Sequence, residues 1–269
     1  MADHAEEEGE GGDIFVYMGG RVPQHVTHVR IDRSVDVIEN QAFRWCENLV
    51  QVETHDGIRR VGGRTFEHCK SLRMINLLSV AEIGMMAFWL CENLESVFSD
   101  KLEIIGRSAF GGCSSLEHLK LPSIITIETA AFAKCSRLID VELSERLDKI
   151  ESGAFHSCER LQRIAIPLER DLFEYNRLYR NYTQFVKCEH LVTVDLVGGI
   201  HTTVASLHLE SWRTEMEEEI SRINQVLPDI QTRNKTATIR QWMHSVLDKM
   251  DHYKAEHYRF VKEGITLLE

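Results

Sequence analysis

This sequence has no surplus of basic charge. Lys plus Arg total 31 against 42 for Asp plus Glu, a formal net charge of -11. A general nucleic-acid binder needs a basic face to displace counterions from phosphates, so none is expected. No run of 18 apolar residues occurs, so neither a transmembrane helix nor a membrane partner is expected. The opening segment, MADHAEEEGEGGD, lacks the apolar stretch of an export signal and points to a cytoplasmic chain. The seven cysteines are odd in number and form no CxxC pair, so a disulfide framework is not expected either. HExxH, Walker, GxSxG and dinucleotide-binding motifs are missing, and the thirteen histidines are scattered. No spacing brings a nucleophile, a base and an orienting group together. An enzyme is therefore not expected, and no cofactor or metal is implied.

What the sequence does have is a period. Cys46, Cys69, Cys91, Cys113, Cys135, Cys158 and Cys188 are separated by 23, 22, 22, 22, 23 and 30 residues. Aligned on them, each turn reads I-[GE]-x-x-[AT]-F-x-x-C-x-x-L-x-x-[VIL], as in Ile38…Phe43…Cys46…Leu49…Val52. The seventh turn keeps Phe185, Cys188, Leu191 and Val194 but has Arg180 and Gln184 in place of Ile and Ala. Apolar positions three apart fit neither the period of a strand nor that of a helix. They fit a coil that turns corners and points one residue inward at each. The closing stretch, as in Ile75-Asn76-Leu77, alternates like a short strand. One turn cannot enclose a core, whereas stacked turns place Phe on Phe and Cys on Cys. Each buried Phe contributes about 2 kcal/mol. The Cys column is expected to serve packing rather than metal or redox chemistry, because a buried thiol is inert.

The pattern resembles the BspA-like class of leucine-rich repeats, in which A-F-x-x-C-x-x-L-x-x-[IV]-x-[LI]-P recurs every 22–23 residues. Leu121-Pro122 and Ile166-Pro167 keep even the proline. The resemblance spans about 36–197 and implies a leucine-rich-repeat solenoid with a parallel strand face. It also implies an interaction module, and it brings no catalytic residues with it.

The expected organisation is a disordered acidic tail over 1–12, an N-terminal cap over 13–36, a solenoid of about seven repeats over 37–199 and a C-terminal helical hairpin over 200–269. Residues 168–183 form an insertion with Leu172, Tyr175, Leu178, Tyr179 and Tyr182 at helical spacing. They read as a short helix shielding the last coil, or else as a Tyr/Arg contact surface presenting Tyr175 and Tyr179. In the tail, Trp212, Met216, Ile220, Ile223 and Leu227 form one helical stripe that Pro228 ends. Thr236 is expected to cap a second stripe running from Ile239 to Tyr253, and Gly264 to stop it. The hairpin would cap the solenoid, join two copies as a homodimer or bind a partner.

Two surfaces are candidates for partner binding. One is the strand face, where Met74, Phe98, His118 and Lys120 point outward; exposed apolar residues such as Met74 and Phe98 side by side are unusual. The other is the turn between Phe and Cys, where stacking gathers Trp45, His68, Trp89 and Leu90. That cluster is either an interface or a seat for Phe15 and Tyr17 or the C-terminal helices. The function expected is non-catalytic binding of another protein, as a module or scaffold. A carbohydrate- or surface-binding repeat protein is the alternative, secondary because Phe98 is the only aromatic residue on the strand face.

Overall fold

The computed structural model describes residues 14–178, 180–197 and 210–266, with the backbone alone for 210–213, 254 and 256–266. The tail assigned to 1–12, Tyr179 and the Trp212 side chain lie outside the described residues. From residue 28 to 196 the chain winds as a coil whose turns lay down short parallel strands in two sets. The first set forms the strand face: β2 (His28–Ile31), β4 (Gln51–Glu53), β6 (Met74–Asn76), β8 (Ser96–Phe98), β10 (His118–Lys120), β12 (Asp140–Glu142), β14 (Arg163–Ile166) and β17 (Thr193–Leu196). The second set is a continuous six-stranded sheet of two-residue strands: β3 (Val37–Ile38), β5 (Arg60–Val61), β7 (Glu82–Ile83), β9 (Ile104–Ile105), β11 (Thr126–Ile127) and β13 (Lys149–Ile150). In each three-residue face strand the central residue is buried, as the alternation requires.

Between the strands runs a column of seven phenylalanines, from Phe43 to Phe185, all buried. Their ring centroids lie 4.9–5.8 Å apart in successive coils. Beside them each cysteine does more than fill space. From Cys69 to Cys188 every Sγ–H donates to the carbonyl of the Phe in the preceding coil at 3.0–3.2 Å. Burial pushes these thiols up from their ordinary pKa, Cys46 to about 11.

The corners are made by residues in the left-handed region. Trp45, His68, Leu90, Lys134, Ser157 and Lys187 form one column with φ of 58–67°, and Gln41, Arg64, Met86, Ser108 and Ala130 a second with φ of 54–61°. Only Gly112 and Gly153 in these columns are glycine. A side chain there costs about 1–2 kcal/mol. The cost is offset because the turn aims each N–H at the next coil: Trp45 N donates to Glu67 O, and His68 N to Trp89 O, both at 2.8 Å.

The face sheet is not continuous. It consists of one sheet ordered β1–β2–β4–β6–β8, where β1 is Phe15–Tyr17, and another ordered β10–β12–β14–β17. Elsewhere the coils pair in strict register, for instance Asn76 with Phe98 and Lys120 with Glu142. Between β8 and β10 no strand pairing forms.

Both ends of the array are closed. At the first end β1 pairs in parallel with β2, and the Tyr17 ring sits on Phe43 with centroids 5.0 Å apart. At the other end two helices, α1 (Glu210–Val226) and α2 (Thr232–Thr266), are joined through a 3-10 turn, Leu227–Asp229, that contains Pro228. They bury Met216, Ile223, Met243 and Val246 with the solenoid core, and the Trp242 Nε1–H donates to Glu219 O at 3.1 Å. Their polar side chains also meet the last coil. Asn224 pairs with both backbone groups of Val194, accepting its N–H at 2.8 Å and donating to its carbonyl at 3.2 Å. The Thr236 hydroxyl accepts the Phe185 N–H at 3.2 Å. The Lys235 ammonium donates to the carbonyls of Glu189 and Leu191. These donors and acceptors replace those an eighth coil would supply.

Four expectations are corrected. Among the described residues of 168–183 there is no helix. Leu172 and Phe173 belong to the seventh coil, with Phe173 bridging Ile150 in parallel. The extra residues then form an antiparallel hairpin, β15 (Tyr175–Asn176) with β16 (Asn181–Tyr182). Gln184 replaces Ala because its side-chain amide donates to the carbonyls of Ile150 and Glu174. Thr236 is no helix cap, since α2 begins at Thr232 and its hydroxyl is engaged by Phe185; nor does Gly264 stop α2, which runs to Thr266. Finally, the Trp45/Trp89 turn seats neither Phe15, which packs on the core from β1 opposite Val29, nor Tyr17, which lies on Phe43, nor the helices, which pack on β17 and β16 at the other end.

Candidate functional site

The strand face carries its charges in cross-strand pairs. Arg30 meets Glu53 at 2.6 Å, Lys120 meets Glu142 at 2.9 Å, and Arg163 bridges Asp140 at 2.8 Å and Asp195 at 2.6 Å. The two carboxylates raise the pKa of Arg163. Between these groups lies an uncharged window made by Met74, Asn76, Ser96 and Phe98. Met74 is 57% exposed and Phe98 53%. Exposed pairs of opposite charge hold strands in register at modest energy, whereas an exposed aromatic ring and thioether side by side gain nothing from water.

The window opens onto the break in the sheet. A cleft of about 710 Å³ lies there, lined by Leu78, Phe98, Ser99, His118, Lys120 and Arg137 among others. Of the residues anticipated for binding, it gathers Phe98, His118 and Lys120, with Met74 one strand away in register with Ser96. Further along the sheet Ala165, in register with Glu142, is buried although strand alternation points it outward.

The aromatic turn is a separate place. Trp45 is 40% exposed, and its face stacks on the His68 ring with centroids 3.8 Å apart. Trp89 is half-buried against Gly111 in the neighbouring column. Residues 21–24 run beside Trp45 and leave a hollow of about 280 Å³. Tyr175 stands exposed on the hairpin, edge-on to Tyr182 at 5.3 Å. The hairpin itself is occupied in holding α2, through Arg240 over the Tyr182 ring and Asn181 on the Arg233 carbonyl. Among the described residues no group of His, Cys, Asp and Glu is placed to hold a metal ion, and no helix is long and apolar enough to cross a membrane.

The profile of the BspA type leucine rich repeat region matches in six copies over residues 23–123 and 81–193. The chain belongs to that family. No curated protein matches this BspA-type chain. Similar solved structures include a leucine-rich repeat protein of T. pallidum at 22% identity and a TM-score of 0.44, covering 77% of this chain and 87% of that one. Another, from Eubacterium ventriosum, has 18% identity and a TM-score of 0.49 over 62% of this chain and 55% of its own. A third, from Bacteroides ovatus, has 23% identity and a TM-score of 0.40 over 64% and 55%.

In most coils the residue after the face strand is apolar and buried, as Leu77, Leu121 and Leu143 are, while Thr54 after β4 is a half-buried hydroxyl. Ser99 stands in that column, and reading the repeat for its apolar matches passed over it. The signal was a hydroxyl in a leucine position at the third coil of the periodic stretch.

Proposed function

We propose that the chain is a non-catalytic protein-interaction module that takes its partner on the strand face, centred on Met74 and Phe98. The observation behind this reading is the uncharged window between two sets of ion-paired strands, opening onto a cleft. A partner covering it gains apolar burial at about 25 cal/mol per Å², and the strands on either side carry their charges already paired. A sugar would find a single aromatic ring on this face, Phe98, on which to stack.

The test is affinity capture with three baits: the wild-type chain, the double variant Met74→Ser/Phe98→Ser, and Lys149→Glu on the opposite sheet. The face variant should lose the partner and the control keep it. Equal retention by all three baits overturns the reading. Light scattering on the same samples reads whether the helix pair also joins two copies.

A further inference from the structure

We infer that the cleft over the split between β8 and β10 is a slot for an extended segment of a partner protein carrying an arginine flanked by apolar residues. The inference deepens the reading of the strand face as an interaction surface and rests on it.

The first argument is what the split leaves behind. Every other neighbouring pair of face strands is joined by a backbone ladder, whereas β8 and β10 are not. The other hydroxyl in the column of Ser99 shows what a bonded one does: Thr54 Oγ1–H donates across to Asn76 O at 2.6 Å. Ser99 makes no such bond. It is 4% exposed, lines the cleft, and its Oγ has no hydrogen-bond partner. A buried hydroxyl left so costs about 1–3 kcal/mol, which a guest able to bond it would recover.

Charge then selects the guest. The cations of the rim are already engaged, Lys120 with Glu142 and Arg137 with Glu117. The carboxylates of Glu95 and Asp100, also on the rim, have no cation within 4.0 Å among the described residues. An anionic guest would meet two free carboxylates, and a purely apolar one would leave Ser99 unpaired. A guanidinium satisfies both carboxylate and hydroxyl, and its weakly hydrated plane stacks on an aromatic ring, here Phe98, as an ammonium does not. Apolar neighbours on the same segment would lie over Met74 and Leu78, both exposed. A guest in extended form can lie across the cleft with its arginine at Phe98 and Ser99 and its apolar neighbours over Met74 and Leu78.

The experiment uses the full chain, labelled with 15N, and acetyl-Leu-Arg-Leu-amide as the probe. Saturable shifts are expected at the amides of residues 95–100 and 117–120. The peptide with citrulline for arginine, which lacks the charge, should bind about tenfold more weakly, and that with glutamate should not bind. Glu95→Gln/Asp100→Asn should weaken the arginine peptide about tenfold. Ser99→Leu, which restores the residue of the neighbouring coils, should close the cleft and abolish binding with no loss of thermal stability. Equal binding of the citrulline peptide, no saturable shift, or undiminished binding to Ser99→Leu overturns the proposal. Should Ser99→Leu fail to fold, the carboxylate variant decides alone. If capture depends on Met74 and Phe98 while the arginine peptide does not bind, the slot falls and the interaction surface stands. Peptide binding with capture indifferent to both residues gives the reverse.

Discussion

Replacing Asn224 by leucine should destabilise the fold by about 2–4 kcal/mol, although Asn224 lies on a helix outside the repeats. β17 is the last face strand, paired on one side with β14 and presenting its other edge where a further coil would stand. Val194 is fully buried, and both its N–H and its carbonyl are taken by the Asn224 carboxamide, at 2.8 and 3.2 Å. Leucine nearly matches asparagine in size but leaves both groups unpaired under α1. Each orphaned group costs about 1–3 kcal/mol, and the upper end is not reached if the helix shifts enough to admit water. At about 2–4 °C per kcal/mol for a domain of this size, the melting temperature should fall by roughly 4–16 °C. Asn224→Asp keeps an acceptor for the Val194 N–H but turns a carboxylate toward the carbonyl, so it should also destabilise. The assay is thermal unfolding followed by circular dichroism, with hydrogen exchange at the Val194 amide. A fall of less than about 1 °C with unchanged exchange at Val194 would refute the idea that the helix pair closes the array by replacing a missing coil.

The remaining predictions concern the coils themselves. All seven cysteines are buried and their thiols are held protonated by that burial, so Ellman's reagent at neutral pH should find no fast-reacting thiol until guanidinium is added; a fast native equivalent would contradict the packing. Gly112 has φ of +77°, and a Cβ there would meet the end of Leu90 at 2.6 Å. Gly112→Ala should therefore cost about 1–2 kcal/mol, whereas Lys134→Gly, in the same column, should stabilise the protein in urea titration. His156 is held below its ordinary pKa of 6.5 by burial and by Lys187 and Lys134. A depressed folded value favours the neutral ring, so its contribution is complete above the unfolded value and lost as pH falls below it. Between about pH 7.5 and pH 5 the wild type should lose more thermal stability than His156→Gln.

The repeat was legible because each column is written several times over. Phe43 alone says little, but Phe at 43, 66, 88, 110, 132 and 155, with Cys three residues on, leaves no other register. The strand face followed from alternation, and so did the outward placement of Met74, Phe98, His118 and Lys120. What was misread broke the period. Leu172, Tyr175 and Tyr182 mimic helical spacing, yet Leu172 completes a coil and the tyrosines sit on a hairpin. Their spacing is a coincidence of two structures joined end to end. Asn224 and Lys235 were invisible for a different reason. A polar side chain that stands in for a missing coil has no periodic partner, and its role appears only once the edge it covers is in place. Thr236 looked like a helix cap because threonine commonly is one, but the same hydroxyl serves a backbone N–H of another element equally well.

A regular array makes its irregularities informative. The repeat pattern is broken conspicuously at two buried polar residues, Gln184 and Ser99. At the first, glutamine replaces alanine and its amide donates to the carbonyls of Ile150 and Glu174, so it ties the inserted hairpin into the last coil, and the hairpin in turn receives Arg240 and the backbone of Arg233 from α2. That departure is explained within the molecule. At the second, serine replaces leucine, strand pairing stops, and the hydroxyl meets no group of its own chain. Leucine there would bury more apolar surface and lose no hydrogen bond, so the intramolecular energetics run against serine. A residue that costs stability and satisfies nothing inside the fold is accounted for by a group arriving from outside it, and the cleft beside Phe98 is where that group would enter.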